Sequence, residues 1–248
     1  MIHFVTEVEQ NNWIVRRIAL ELASRIPYST YSTESDLKAQ VNLFFPYYAY
    51  FFHYGQVKCP TPAISFFTHR EEESGTVFDE VAERSTWCIA MCDKTAALLP
   101  PNKTTIIKMY PDKQFYKEKI VIGVVGKSCP SGRKRLELLQ EVQQIPGVEV
   151  RYTGGALLFN QMPQFYKEID YLLVTSNNEG GPMPVMEALA MGKPVIAPNV
   201  GFAWDFPVIK YDGTKEDLIR VVSGLVIDPN GWDKSAKELM EVIQKVCL

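Results

Sequence analysis

Strand-length apolar runs alternate with helix-length amphipathic stretches in this chain, and the alternation lapses around residues 110–119 before it starts again at 120. Residues 2–6, 41–45, 63–67, 87–92 and 104–109 read as strands, with helices over 12–26, 76–84 and 93–99. The second series runs strand 120–125, helix 133–144, strand 148–152, helix 163–168, strand 170–175, helix 184–191, strand 194–197 and helix 214–224. A chain that inserts a helix between successive strands builds mostly parallel sheets, which must be covered on both faces. The fold class expected is α/β, with two Rossmann-like lobes: residues 1–117 and residues 118–248. The polar, proline-broken tract Tyr110–Lys119 is the expected linker. In the first helix, Ile14, Ile18, Leu22 and Ile26 form the expected buried stripe, and Asn11 or Asn12 caps it.

The richest local signal is Ser176–Ala197, SNNEGGPMPVMEALAMGKPVIA, where Glu179 and Glu187 stand with seven residues between them. An apolar strand enters an Asn-Gly-Pro turn that opens a helix, and Gly192 closes that helix. Free N–H groups and partial positive charge at such a helix start favour anions, typically phosphates. Pro182 and Pro184 have no N–H, so Gly180, Gly181, Met183 and Val185 are the expected donors. Glu187 would accept hydrogen bonds from ribose-type hydroxyls.

These residues resemble the Glu-x7-Glu region of the family 4 retaining glycosyltransferases. Ser176, Glu179, Gly180, Glu187, Ala188, Ala190, Gly192, Pro194, Val195 and Ala197 all fall where that family has them. The resemblance implies a GT-B fold, two Rossmann-like lobes with a cleft between them, and a nucleotide-diphosphate sugar donor. The terminal helix, 232–246, commonly crosses back to the first lobe in that fold. Upstream, Lys119–Lys127 reads as a strand running into Gly126-Lys127, followed by a turn and an expected basic helix start at Arg133-Lys134. Family members are similar here, with two cations holding the donor's diphosphate. Lys127 and Lys134 match, and Arg133 rivals Lys134 because the register is ambiguous by one residue. Departure of a nucleoside diphosphate builds negative charge that fixed cations and helix N–H groups stabilise without a metal.

In the reading the resemblance implies, Glu179 holds the donor sugar or steadies charge at its reacting carbon. Gly154, with Gly155, stands where relatives turn near the nucleotide base. His69, after the run Ile64–Thr68, stands where many relatives carry a polar acceptor-side residue, and it joins Glu179 as a catalytic candidate. The sequence departs from the family after its first strand, where Glu7–Trp13 lacks the usual glycine.

The remaining composition excludes other classes. A net charge of −3 over 248 residues leaves no field for nucleic acid. The chain has no Asp-x-Asp, and none of His3, His53 and His69 lies at short metal-ligand spacing from another His or from a Cys pair, so neither metal nor cofactor is expected. Five cysteines without framework spacing predict reduced thiols in a cytoplasmic protein, with Cys88 and Cys92 in a buried strand. The acidic N-terminus is not a signal peptide, and no run reaches the ~20 apolar residues of a membrane span. Phe44–Tyr54 has eight aromatics in eleven residues. A strand with its loop packed into the core is one reading, and an acceptor platform or peripheral membrane contact is the other.

The function expected is a hexosyltransferase-like, metal-independent retaining glycosyltransferase that moves a sugar from its nucleotide-diphosphate donor to a glycan, lipid or small-molecule hydroxyl. The alternative is a non-catalytic GT-B-like subunit that binds a nucleotide or a partner. A dinucleotide-dependent enzyme is disfavoured because no Gly-x-Gly-x-x-Gly follows the first strand.

Overall fold

A computed structural model describes residues 1–6, 13–70, 75–111, 115, 117–228 and 230–248. The chain divides into two compact units, Met1–Lys113 with Asp228–Leu248, and Gln114–Ile227. The division falls four residues earlier than the expected 117/118 boundary, and residues 228–248 group with the first unit, where the terminal helix was expected to cross back.

The first unit contains β1 (Ile2–Thr6), α1 (Trp13–Ala23), β2 (Ser29–Ser32), β3 (Val41–Phe45), α2 (Tyr47–Tyr54), β4 (Ala63–Phe67) and α3 (Gly75–Arg84). It continues through β5 (Trp87–Ala90), α4 (Asp93–Ala96) and β6 (Thr104–Ile106). The six strands pair in parallel in the order β2-β1-β3-β4-β5-β6. Alternate side chains go to opposite faces, as the period of a strand requires. Phe4, Leu43, Phe45, Phe66 and Ile89 pack on one face with Ile18 and Leu22 of α1. Val5, Phe44, Phe67 and Cys88 pack on the other with Tyr50 of α2 and Phe78 of α3.

The second unit holds β7 (Ile120–Val124), α5 (Glu137–Gln143), β8 (Val148–Tyr152), α6 (Met162–Glu168), β9 (Tyr171–Leu173) and α7 (Met183–Ala190). After these come β10 (Val195–Ala197), β11 (Ile209–Lys210) and α8 (Lys215–Ser223). Its parallel sheet runs β11-β10-β9-β7-β8. Helices α6 and α7 cover one face through Phe165, Tyr166, Val185 and Ala188. Helices α5 and α8 cover the other through Leu138, Val142, Leu218 and Val222. Each unit is thus a Rossmann-like α/β layer stack.

The final helix, α9 (Gly231–Cys247), returns to the first unit because its apolar face, Trp232, Ala236, Leu239 and Ile243, has α1 and the first sheet to pack on. Two side-chain bonds fix its start: Trp232 Nε1 donates to the Pro111 carbonyl at 3.2 Å, and Ser235 Oγ donates to that of Lys108 at 2.5 Å.

Several expectations need correction. The buried stripe of α1 is Val15, Ile18, Ala19 and Leu22, with Ile26 buried just past its end, whereas Ile14 is 49% exposed, one residue off that face. The expected Asn11 or Asn12 cap lies outside the described residues, as does the glycine-free loop from 7 to 12. The aromatic run is a strand end followed by a helix, not a strand and its loop. Tyr47 stacks on Phe67 at 5.1 Å and Phe44 meets Tyr50 edge-on at 5.1 Å, so one side of the run is core, while Phe52 is 72% exposed. Cys88 is buried in β5, but Cys92 is exposed just before α4, and all five cysteines are free thiols. Strands β2 and β11 are edge strands that the sequence pattern hid. A strand with one paired neighbour needs little apolar character, and Ser-Thr-Tyr-Ser has little. Among the described residues no helix is long and apolar enough to cross a membrane.

Candidate functional site

In the second sheet the chain goes from β7 outward to β8, then returns across to β9 on the other side. Ligands of open parallel sheets bind at the carboxyl ends of the strands where the order reverses in this way. A cavity of about 170 Å³ lies there, lined by Val124–Lys127, Lys134, Leu172–Ser176, Glu179 and Gly181–Pro184.

The loop after β7 carries the cations. Gly126 has φ +139°, and a Cβ there would stand 3.4 Å from the Lys134 ammonium, so a larger residue would be strained and would crowd that side chain. The expected helix start at residue 133 is wrong. Arg135 adopts the left-handed region, φ +49°, and α5 does not begin until Glu137. The Arg135 guanidinium donates to the Gly213 carbonyl at 2.5 Å. Arg133 and Lys134 are therefore loop residues, and their backbone is tied to the segment after β9. Thr175 Oγ1 donates to the Lys134 carbonyl at 2.5 Å, and the Asn177 N–H donates to that of Arg133 at 3.0 Å.

That tie brings both cations to one carboxylate. Glu179 Oε1 accepts from the Lys134 ammonium, pairs with Arg133 Nη1 at 2.7 Å and accepts from Ser176 Oγ at 2.8 Å. Its side chain is 13% exposed. Burial pushes the Glu179 carboxyl up, but the bonds from Lys134, Arg133 and Ser176 outweigh it and hold the group below its ordinary value. The one-residue ambiguity between Arg133 and Lys134 disappears, because both reach the same oxygen. Lys127 is exposed, lines the cavity and has no ion-pair partner among the described residues. Its stem lies over Gly155, φ +76°, where a Cβ would fall 2.0 Å from its Cγ. Gly155, more than the expected Gly154, thus gives Lys127 its course, while Gly154 is exposed beside Tyr152.

At the opening of α7, the Val185 N–H donates to the Pro182 carbonyl at 2.9 Å, so it is not available to a ligand as expected. Gly180, Gly181 and Met183 remain as candidate donors. Gly181 and Met183 line the cavity, Gly181 lies against the Phe202 ring, and Gly180 faces open space.

The second glutamate lies elsewhere. Glu187, one turn beyond Met183, lines a separate apolar cavity of about 350 Å³ with Phe159, Met162, Pro163 and Tyr166. Its Oε2 accepts from the buried Tyr166 hydroxyl at 2.6 Å. Neither Ser176 nor Tyr166 was among the expected site residues; the first had a signal in its motif position, the second only an ordinary core pattern. His69 belongs to the first unit, exposed just after β4. Among the described residues no three His, Cys, Asp or Glu cluster as a metal site would need.

The family model described as glycosyl transferases group 1 matches residues 107–245, more than half of the chain. A sucrose synthase of Denitrovibrio acetiphilus is 25% identical over 196 residues, which are 71% of this chain and 24% of that protein. A D-inositol 3-phosphate glycosyltransferase of Streptomyces bingchenggensis is 28% identical over 153 residues, 51% of this chain and 33% of that one. The chain therefore spans only about a quarter to a third of the length of these curated relatives. Among solved structures, Anabaena HepE in complex with UDP and glucose matches 99% of this chain and 95% of its own at 12% identity. Its TM-score is 0.36, too weak a likeness to decide anything about this chain.

Proposed function

The chain belongs to the group 1 glycosyl transferases, and from that premise we propose that it transfers a sugar from a nucleotide-diphosphate donor to a hydroxyl acceptor, with retention and without a metal ion. Two Rossmann-like units are the components of the GT-B arrangement that the sequence resemblance implies. The observation that carries the reading is the Glu179 carboxylate held by Lys134, Arg133 and Ser176 inside the strand-end cavity, with Lys127 on its wall.

In this reading Glu179 offsets part of the positive charge of Lys134 and Arg133 until the donor enters. Entry of the donor brings a diphosphate to Lys127, Lys134 and Arg133, and Glu179 turns to the sugar. As the bond between the anomeric carbon and the phosphate oxygen breaks, charge collects on the leaving diphosphate, where fixed donors act without reorganising. The acceptor oxygen bonds to the anomeric carbon from the face the diphosphate leaves, and its proton passes to a phosphate oxygen, so configuration is retained. Three cations on one loop already supply the charge that a divalent ion supplies elsewhere. The nucleoside lies in the larger apolar cavity, with Glu187 accepting from ribose hydroxyls. The acceptor is a glycan, lipid or small molecule, His69 serves it from the first unit, and five free thiols suit a cytoplasmic setting.

The test is a thermal-shift panel of nucleotide-diphosphate sugars on the purified chain, followed by a transfer assay with the ligand that raises the melting temperature most. Transfer that survives exhaustive chelation supports the reading. Binding with no transfer to any acceptor class supports the non-catalytic subunit instead, and activity restored only by one divalent ion overturns the metal-free mechanism.

A further inference from the structure

We propose that Tyr166 is the positioning residue for Glu187, and that the pair lets the apolar cavity distinguish ribonucleotides from their deoxy counterparts. The inference rests on the reading of Glu187 as the acceptor of ribose hydroxyls.

Tyr166 is 2% exposed, packed among Ile169, Val185 and Ala188 between α6 and the second sheet. A phenol so buried must find a partner or leave a polar group unsatisfied. Its partner is Glu187 Oε2, 2.6 Å away on the next helix. Burial first, and then the neighbouring carboxylate, push the phenol well above its ordinary value, so it stays a donor across the working pH range. A free glutamate on a helix samples several rotamers and turns toward water. With Oε2 fixed, Glu187 keeps one orientation, and Oε1 has no partner among the described residues.

The cavity around this carboxylate suits a nucleoside. Phe159, Met162, Pro163 and Met191 offer apolar walls for a flat base, and Glu187 is the one acidic group among them. A fixed acceptor rejects a ligand that lacks the matching hydroxyl, because the acceptor is left without its bond; an acceptor free to turn to water loses little. Discrimination by Glu187 therefore depends on the phenol that holds it.

The experiment measures dissociation constants by calorimetry for whichever of UDP, ADP and GDP binds best, and for its 2′-deoxy and 3′-deoxy forms. The proteins are wild type, Tyr166→Phe and Glu187→Gln. Wild type should prefer the ribo form by ~10-fold or more over at least one deoxy form. Tyr166→Phe keeps the ring and should reduce that preference to below ~3-fold while weakening the ribo form ~3- to 10-fold. A merely structural tyrosine would weaken all forms alike and leave the ratio unchanged, which would overturn the role. If Tyr166→Phe is poorly folded, Tyr166→Met reads the same ratio on its folded fraction. A ratio lost in Glu187→Gln but kept in Tyr166→Phe removes Tyr166 alone. A ratio kept in Glu187→Gln shows that the ribose reading has failed, and the role of Tyr166 fails with it.

Discussion

The two sheets repeat one strand order, β2-β1-β3-β4-β5 in the first unit and β8-β7-β9-β10-β11 in the second, yet their strand-end loops carry different chemistry. After β7 and β9 come Lys127, Arg133, Lys134 and Glu179, an ionic cluster at the point where the order reverses. After β3, at the corresponding place, comes the aromatic helix α2, with Tyr47 and Tyr50 turned into the core. Topology provides the crevice; the loop residues decide what enters it. The second unit is built for a charged ligand, whereas the described strand ends of the first offer packing and an exposed His69.

The comparison breaks most visibly at Glu179. Glu179→Gln keeps size but removes the charge at the centre of the cluster, so transfer should fall by ~10²–10³-fold, the magnitude of a lost electrostatic group in a dry site. Affinity for a nucleoside diphosphate lacking the sugar should rise in the same variant, because Lys134 and Arg133 lose their internal counter-ion. Paired kinetics and calorimetry read both, and a fall in both would show that Glu179 merely holds the loop.

Next in size are the cations. Lys127→Ala and Lys134→Ala should each weaken nucleoside diphosphate binding by about 1.5–3 kcal/mol and leave the free nucleoside nearly unaffected. Arg133→Ala should behave like Lys134→Ala, since both reach the same Glu179 oxygen. Equal weakening of nucleoside and diphosphate would count against the clamp.

A smaller effect follows from titration. The Glu179 carboxyl is held below its ordinary value of 4.5, so the folded state binds that proton less readily than the unfolded chain does. Its stabilising contribution is complete above pH ~4.5 and disappears as pH falls through the lowered value. The melting-temperature advantage of wild type over Glu179→Gln, on the order of a few °C at pH 7, should persist to about pH 5 and shrink below it. A gap independent of pH would contradict the ion-pair account.

The smallest expected effect lies in the first unit. His69→Ala should change nucleoside diphosphate affinity by less than ~2-fold while lowering transfer, since the diphosphate reading uses second-unit residues alone. A large loss of nucleotide affinity in that variant would erase the contrast between the units.

Much of this was legible in the chain before any coordinates. Buried parallel strands such as Ile120–Val124 announce themselves as apolar runs, Val41–Phe45 does so apart from its buried Asn42, and the Ser176–Ala197 motif located the strand-end turn. The edge strands β2 and β11 did not, because β2 is Ser-Thr-Tyr-Ser and β11 is only two residues long. The helix expected at 133 failed at Arg135, whose backbone is left-handed while its guanidinium donates to Gly213, a contact far along the chain that no local propensity encodes. The same limit applied to the two glutamates. Spacing suggested one site, but Glu187 lies a helical turn past the cavity and meets Tyr166 from another helix. Convergence of Arg133 and Lys134 on one oxygen was likewise a tertiary fact, set by bonds to their carbonyls from the Thr175 hydroxyl and the Asn177 N–H.

The most direct test of the central claim is a crystal structure of the protein with whichever of UDP, ADP and GDP binds best. The account predicts the diphosphate between Lys127 and Lys134, with Lys134 drawn away from Glu179 and the nucleoside beside Glu187. A diphosphate bound in the first unit, or one bound in the second with the Lys134–Glu179 and Arg133–Glu179 pairs intact and no phosphate oxygen within hydrogen-bond reach of Lys127 or Lys134, would contradict it.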